Sequence, residues 1–430
     1  MGTLSVIVVC EPICKAFSHE KVNSGFLLAL RLAFPAEAIR VYADESHIIA
    51  LNRILENDKK AIDNLEFRPI QFGISYRPLD LFRYRRMLGR VCRESRAAGV
   101  DRVFFLSFNS VILFLLKSLK WSRQLRRMAF TLVLHGDFED IADDRLPSLT
   151  PPLPQVPVAN RIRNASLWKL PGMAVRYAWR RLQGSLKAGL QAVVLRLFPL
   201  KRMLEWRHSP DFRYIALSPH ILVNARKYLD VEWLNMSVVA MPIVFADASP
   251  MPRNPHPKFA VFGYGDSAML HQVLKGLSVS AAADLPYEIR IIGMDDRGVS
   301  GFHKVTTPSP GRPMSREEME AQAGDIDAFM IFYTSERYRL SCSGSIFEAL
   351  SYMKPVLHME NECVNEFNKP DSPIGLRAES TDEFVNNLVM IIQDYGKFQE
   401  DAVQYRRNIL RRRAEYGMET STEQLRQSLV

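Results

Sequence analysis

Apolar and polar positions along the chain form two alternating regions separated by a long basic stretch. Over the first 141 residues, short apolar runs alternate with segments whose apolar residues recur every three or four positions. That is the pattern of strand–helix–strand units around a parallel sheet. It predicts strands at Leu4–Cys10, Ile39–Ala43, Leu65–Phe72, Arg102–Phe108 and Ala129–Leu134. Helices are predicted around Val22–Phe34, His47–Asn57, Leu79–Ala98 and Val111–Trp121. Ligands of such sheets bind beyond the carboxyl ends of the strands, which singles out the loops after Cys10, Phe108 and Leu134.

The proline-rich run Asp143–Pro157 reads as an extended connector. Beyond it come a strand at Tyr214–Leu217, a helix at His220–Leu229, a strand at Ser237–Ala240 and a break at Met241–Pro242. Four prolines in Ser249–Lys258 mark an interdomain linker. A second alternating region follows, with strands at Phe259–Phe262, Ile289–Ile292, Val305–Thr306, Ala328–Phe332 and Pro355–His358. Its helices include Ala268–Leu277, Arg316–Ala323 and Ser345–Tyr352. The expected organisation is a first Rossmann-like lobe over 1–248 with a basic insertion at 151–208, a second lobe over 259–400, and a helical tail over 401–430 returning towards the first lobe. A chain of 430 residues suits two such lobes.

Charge changes the picture in one place. Between Pro151 and His208 eleven basic residues face one acid, Glu205, so this stretch alone exceeds the net charge of +9. Val175, Trp179, Leu182, Leu186, Leu190, Val193 and Leu197 recur at helical spacing, with Arg176, Arg180 and Lys187 beside the stripe. The preferred reading is an amphipathic helix on an anionic membrane surface through 165–207, where basic heads reach lipid phosphates. A helix packed on the first lobe shows the same stripe and stays open. No nucleic-acid module accompanies the charge, so no nucleic-acid partner is expected.

The five cysteines are odd in number and scattered, as in a reduced, cytosolic protein, and no metal site is expected from them. MGTLSVIVVCEP reads as a first buried strand, not a signal peptide. No long uncharged apolar run predicts a membrane-spanning helix, so the expected location is cytoplasmic and peripheral on the inner face of the membrane.

Chemistry concentrates in Ser341–Leu357, SCSGSIFEALSYMKPVL. Ser341, Ser343, Gly344 and Ser345 stand at the start of a predicted helix that Pro355 ends. A helix N-terminus offers free backbone N–H groups and partial positive charge, glycine permits close approach, and serine hydroxyls add donors: together a phosphate cradle. Glu348, one turn further, is placed to accept hydrogen bonds from vicinal hydroxyls such as those of ribose. A Ser-capped helix with a first-turn acid is the plainer account of the same residues.

The surrounding run Ala323–Leu357 resembles the donor-site signature of GT-B glycosyltransferases, closest to the family 4 type. Glu348–Ala349 and Lys354–Pro355–Val356 carry the match. His135–Gly136, Ser218, Met241–Pro242, Phe262–Gly263, Ile292–Gly293 and Met314–Glu318 follow the family's landmarks in order. Leu340 stands where the family has a second glutamate, which sets a retaining mechanism in question. The resemblance implies an α/β GT-B fold, two Rossmann-like lobes with parallel sheets facing an interlobe cleft. It also implies a hexosyltransferase-like enzyme that uses a nucleotide diphosphate sugar as donor, with no cofactor and no metal. Gly263, Tyr264 and Gly265 occupy the first loop of the second lobe, and Arg339 or Arg312 is a source of positive charge for the diphosphate. His135 corresponds to a histidine the family places against the donor sugar, and Asp137 or Glu139 is a candidate general base. The expected function is transfer of a sugar to a lipid-linked saccharide acceptor in polysaccharide or lipopolysaccharide assembly. A sugar-nucleotide epimerase and a catalytically degenerate membrane-bound binding protein are the alternatives.

Overall fold

The structure is a computed structural model. It describes residues 6–16, 18–56, 63–71, 78–142, 198–246, 251–263, 265–292, 299, 301–308 and 316–429. The chain forms two compact units: Met1–Ser24, Phe34–Ile215 and Ala225–Ser237 make the first, and Gly25–Ala33, Ala216–Asn224 and Val238–Val430 the second.

The first sheet holds β1 (Val6–Glu11), β2 (Ala38–Ala43), β3 (Leu65–Pro69), β4 (Arg102–Phe105), β5 (Ala129–Val133), β6 (Phe212–Ala216) and β7 (Met236–Val238). Its spatial order is β3-β2-β1-β4-β5-β6-β7. Val8 pairs in parallel with Arg40 on one side and Val103 on the other. Parallel strands need crossovers, which are α1 (Glu20–Ala33), α2 (Glu45–Leu55), α3 (Pro78–Ala97) and α4 (Ser110–Leu119). Caps set their starts: Asp44 accepts from Ser46 N at 3.0 Å to open α2, and Asn109 accepts from Ile112 N at 3.0 Å to open α4. Val8, Val9, Val103 and Phe105 are wholly buried, and each such side chain contributes roughly 2 kcal/mol of burial.

Two shorter helices follow, α5 (Leu200–Glu205) and α6 (Pro219–Ala225). Residues 151–197, which carry most of the basic stretch, lie outside the described residues. Its described end packs on α4. Lys117 of α4 is buried and donates to the carbonyls of Met203, Leu204 and Trp206 at 2.6–2.8 Å, closing the C-terminus of α5. The Phe114 ring lies 4.5 Å from Phe198 and 5.4 Å from Trp206, centroid to centroid.

The second sheet holds β8 (Lys258–Phe262), β9 (Glu288–Ile292), β10 (Val305–Thr306), β11 (Ala328–Ile331), β12 (Val356–Met359) and β13 (Gly375–Ala378), in the order β10-β9-β8-β11-β12-β13. Helices α7 (Ser267–Ser278), α8 (Arg316–Gly324), α9 (Gly344–Ser351) and α10 (Glu362–Asn365) connect its strands. The tail is three helices, α11 (Thr381–Gln393), α12 (Tyr395–Glu415) and α13 (Met418–Leu429). Arg426 of α13 donates to the carbonyls of Leu32 and Ala33 at 2.9 and 3.1 Å, the last residues of α1. Strand β13 was not expected, because Gly-Leu-Arg-Ala has no apolar run. Gly375 is required there: a Cβ would stand 2.0 Å from the Val356 carbonyl oxygen of β12. No helix among the described residues is long and apolar enough to cross a membrane.

His358, wholly buried, closes β12. Its Nδ1–H donates to Met359 O at 2.8 Å, and its Nε2 accepts from Asn368 Nδ2 at 2.7 Å. Asn368 Oδ1 in turn accepts from Ile374 N at 2.8 Å, which fixes the entry to β13. A proton on Nε2 would face a donor. Burial lowers the His358 pKa from 6.5 to about 4. A depressed histidine pKa means that the unfolded chain binds the extra proton first. Stability from this residue is therefore complete above pH 6.5 and falls as the pH drops towards 4, with a slope approaching about 1.4 kcal/mol per pH unit. Urea titrations between pH 7 and 4.5 should show stability falling more steeply in the wild type than in His358→Gln, the difference being this residue's share; identical slopes in both proteins would refute this account.

Candidate active site

In both sheets the first strand lies beside the fourth, so the chain reverses direction across the sheet between β1 and β4 and again between β8 and β11. Such switch points open a crevice at the carboxyl ends of the strands, where ligands of this sheet type sit.

In the first unit the crevice is organised by Glu11, the last residue of β1, which is 1% exposed. Its carboxylate accepts from Ile13 N at 2.8 Å, Cys14 N at 2.9 Å, Asn23 Nδ2 at 3.1 Å and the Ser107 hydroxyl. Asn23 Nδ2 also donates to His47 Nε2 at 2.9 Å, while His47 Nδ1–H donates to Ala16 O at 2.9 Å. One buried network thus ties the loop after β1 to α1, α2 and the loop after β4. The loop it holds includes Ala16 and His19 in the left-handed region, at φ 44° and 54°. Asn23, near the start of α1, thus links Glu11 to His47.

His135 follows β5. Its Nε2 lies 2.6 Å from Leu106 O, and a carbonyl only accepts, so Nε2 carries the proton. Its ring sits 4.7 Å from His19. Burial, then the neighbouring His19, lower its pKa to about 3, so the ring is neutral at pH 7 with Nδ1 presenting a lone pair. Such a ring orients a hydroxyl well and is a poor proton acceptor. Asp137 and Glu139 stand on the 3-10 turn Gly136–Ile141 that follows, Glu139 half-buried. The Asp137 side chain lies outside what the structure describes.

In the second unit the loops after β8 and β11 are joined by Asp266 N–H donating to Phe332 O at 2.7 Å. Asp266 also caps α7, accepting from Ala268 N and Met269 N at 2.8 and 2.9 Å. Gly263 has φ 76°, and a Cβ there would stand 1.9 Å from Ser345 Oγ, so glycine lets this loop close on the start of α9. Tyr264 lies outside the described residues, and Gly265 follows it. Ser343 is fully buried and caps α9: its Oγ accepts from Ser345 N at 3.2 Å and is 2.6 Å from Tyr333 Oη. That hydroxyl is buried between Tyr333 and the Ser345 N–H. Gly344 is exposed, and a Cβ on it would meet nothing within 4 Å, so open space lies before the first turn of α9. Ser345 and Glu348 are half-buried on the same helix.

Ser341 and Arg339 lie on the loop entering α9, and α6 holds that loop. His220 Nε2 lies 3.0 Å from Tyr338 O and 3.1 Å from Ser341 O, and Asn224, one turn on, donates to Arg339 O at 3.0 Å. Burial works against a charged His220, but Cys363 and these carbonyls outweigh it and raise its pKa. Cys363, hydrogen-bonded to Cys342 and facing His220, is held towards the thiolate against its burial. The Arg339 side chain lies 4.0 Å from Glu336.

The loops that the sequence singled out lie at the two switch points, and the sequence did not single out Glu11, His47, Ser107, Tyr333, His220 and Asn224, whose side chains hold those loops. Two signals were available: an acid ending an otherwise apolar strand, and a His/Asn pair spaced four apart after Ser218. Among the described residues no group of three or more His, Cys, Asp or Glu is placed to hold a metal ion. Glu11→Ala removes one acceptor from four donors and should cost about 3 kcal/mol or more. Glu11→Gln keeps an oxygen for Ile13, Cys14 and Ser107 and should cost about 1 kcal/mol. Urea midpoints would measure both, and equal losses in the two variants would disprove the network.

No family model matches the chain. No curated protein matches it. Solved structures do. The lipopolysaccharide outer core galactosyltransferase WaaB in its apo form aligns over 99% of each chain, with TM-score 0.58 and 12% identity. A glycosyltransferase from Rickettsia africae aligns over 98% of this chain and 96% of its own, with TM-score 0.56 and 10% identity. TarM aligns over 99% of each chain with TM-score 0.60 and 9% identity, and a mutant of S. aureus TarM has also been crystallised with fondaparinux, alpha-GlcNAc-glycerol and UDP. At these identities the likeness is one of fold. The two parallel sheets and end-to-end alignment make this an α/β GT-B fold of two Rossmann-like lobes.

Proposed function

We propose that the chain is a glycosyltransferase that moves a sugar from a nucleotide diphosphate sugar to a membrane-associated, lipid-linked saccharide in polysaccharide or lipopolysaccharide assembly. The observation that carries this reading is the second switch point: Gly263 closed against Ser345, with open space in front of Gly344. Two helices, α7 and α9, begin there at the ends of adjacent strands, and their N-terminal dipoles favour a diphosphate as its charge develops. Because the Ser343 hydroxyl is buried against Tyr333 and Ser345, the phosphates would bind to backbone N–H groups of α9 and the Ser345 hydroxyl. Glu348 would receive the ribose or sugar hydroxyls, and Arg339 would add positive charge. The fold's occurrence in WaaB and TarM, named or crystallised as above, supports glycan assembly as the setting.

The first unit would receive the acceptor. A neutral His135 with a free Nδ1 accepts a hydrogen bond from the attacking hydroxyl, and Asp137 or Glu139 takes its proton. Helix dipoles in place of a cation make the reaction metal-independent. The basic stretch at 165–207 would hold the enzyme to the cytoplasmic membrane face.

Incubation with a panel of nucleotide sugars and a lipid-linked acceptor should release nucleotide diphosphate, and the rate should persist in excess EDTA. Glu348→Ala should lower kcat/KM roughly 30- to 100-fold, the loss of a charge-assisted hydrogen bond of about 2–3 kcal/mol. No release from any donor would sink the transferase reading, and loss of rate in EDTA would sink its metal-free part.

A further inference from the structure

The first unit carries a cavity of about 1080 Å³ to which the site described above contributes nothing. Asp44, directly after β2, and Ile70, directly after β3, line one wall. Arg83, Arg86, Arg90 and Arg93 of α3 line the other. Their spacing of three, four and three places them on one face of the helix. Arg83 reaches Asp80 at 3.6 Å and Arg90 reaches Glu94 at 3.7 Å. Arg86 and Arg93 meet no carboxylate at ion-pair distance among the described residues. Two acids also line the cavity, Asp44 and Glu45. Asp44 is committed, capping α2 through Ser46 N at 3.0 Å and facing Lys15 at 3.6 Å. The N-terminal end of α2 adds its partial positive charge at the same wall.

We infer that this cavity is a second binding site, for a phosphate-bearing part of the saccharide acceptor, gripped by Arg86 and Arg93. Guanidinium groups bind phosphate through paired, charge-assisted hydrogen bonds, and these two arginines, seven residues or about two helical turns apart, offer two such grips. The volume exceeds what a lone phosphate fills and matches a ligand of several rings. Ile49 and Met87 supply apolar wall for the C–H faces of sugars. None of the described residues lining the cavity is aromatic, so they offer stacked nucleic-acid bases no platform. Position agrees: the cavity lies at the carboxyl ends of β2 and β3, the same end of the same sheet as Glu11 and His135. The loop after β1 links the two places, since Ala16 N donates to Ser46 Oγ at 3.0 Å on the cavity wall. An extended acceptor held by its phosphate in the cavity has its remaining sugars directed along that sheet end.

This inference rests on the first unit being the acceptor side. Calorimetric titration of the full chain with a hexose 1-phosphate, inorganic pyrophosphate, phosphatidylglycerol vesicles and a single-stranded oligonucleotide tests it, comparing wild type with R86S/R93S. Both arginines are exposed, and an unchanged melting temperature checks that the variant folds. The variant should bind the phosphosugar roughly ten- to hundredfold more weakly, with an intermediate loss for R86K/R93K, which keeps charge but not the paired geometry. Loss confined to the vesicles assigns the phosphate to a lipid headgroup; loss with the soluble phosphosugar assigns it to the saccharide. Equal binding by wild type and R86S/R93S overturns the site, as does a stronger arginine dependence for the oligonucleotide. The two readings fail separately: a protein that loses phosphosugar binding on mutation yet never releases nucleotide diphosphate keeps the site and loses the transferase.

Discussion

Parallel pairing is the constraint from which the rest of this molecule follows. Strands such as β1 with β4, or β8 with β11, cannot be joined by a tight turn, so each connection crosses back through a helix. Every strand then ends on the same edge of its sheet, and the helices begin there. Loops, helix N-termini and side chains that follow a strand collect at one edge, and the reversal of strand order leaves the gap into which they project. Glu11, Ser107 and His135 reach this edge from three different strands, as do Gly263, Tyr333 and Ser343 from two. The opposite edge of the second sheet is tied shut. There Asp327, just before β11, accepts from Lys258 N, Asn254 Nδ2 and Tyr395 Oη at 2.8–3.0 Å, and Arg290 binds Asp325.

How the loops are held decides what they can offer a ligand. In each unit a buried polar side chain takes up the backbone groups that irregular chain leaves without partners: Glu11 for the N–H groups after β1, His220 and Asn224 for the carbonyls before α9. A buried group left unpaired is expensive, so such networks fix one conformation firmly. The same economy removes some groups from service. Ser343 looks like a phosphate donor in the sequence, but its hydroxyl is the cap that makes α9 begin where it does. What it leaves available is better suited to phosphate: N–H groups fixed in direction, with open space before Gly344.

Much of this was legible from apolar runs alone. Phe259–Phe262 and Ile289–Ile292 lie within β8 and β9 to within one residue at each end: the β8 run is continuously apolar, as in a strand buried on both faces, and in β9 only Arg290 interrupts the isoleucines. β13 was not legible, since an edge strand half open to solvent need not be apolar, and the reason for Gly375 is the Val356 carbonyl across from it. Glu11 hid for a related reason. Its apolar neighbours announce a strand, and nothing local says that four donors from three other segments converge on its carboxylate. His220 stood in plain view beside Ser218, but its partners are more than a hundred residues away.

Charge shows the same limit more sharply. Summed by segment, 151–208 holds all the excess positive charge, and the remainder of the chain is near neutral. Neutral in sum is not neutral in space. α3 carries six arginines against two acids, and four of the six line one cavity with Asp44 and Glu45 opposite. Whether such a cluster attracts an anion depends on which carboxylates already answer it. Within a Debye length of about 8 Å at physiological salt, the paired Arg83 and Arg90 contribute little net field. Arg86 and Arg93 keep theirs at the cavity they line. A phosphate entering there gains two guanidinium partners that no carboxylate among the described residues already holds, and so does not have to break such an ion pair to bind.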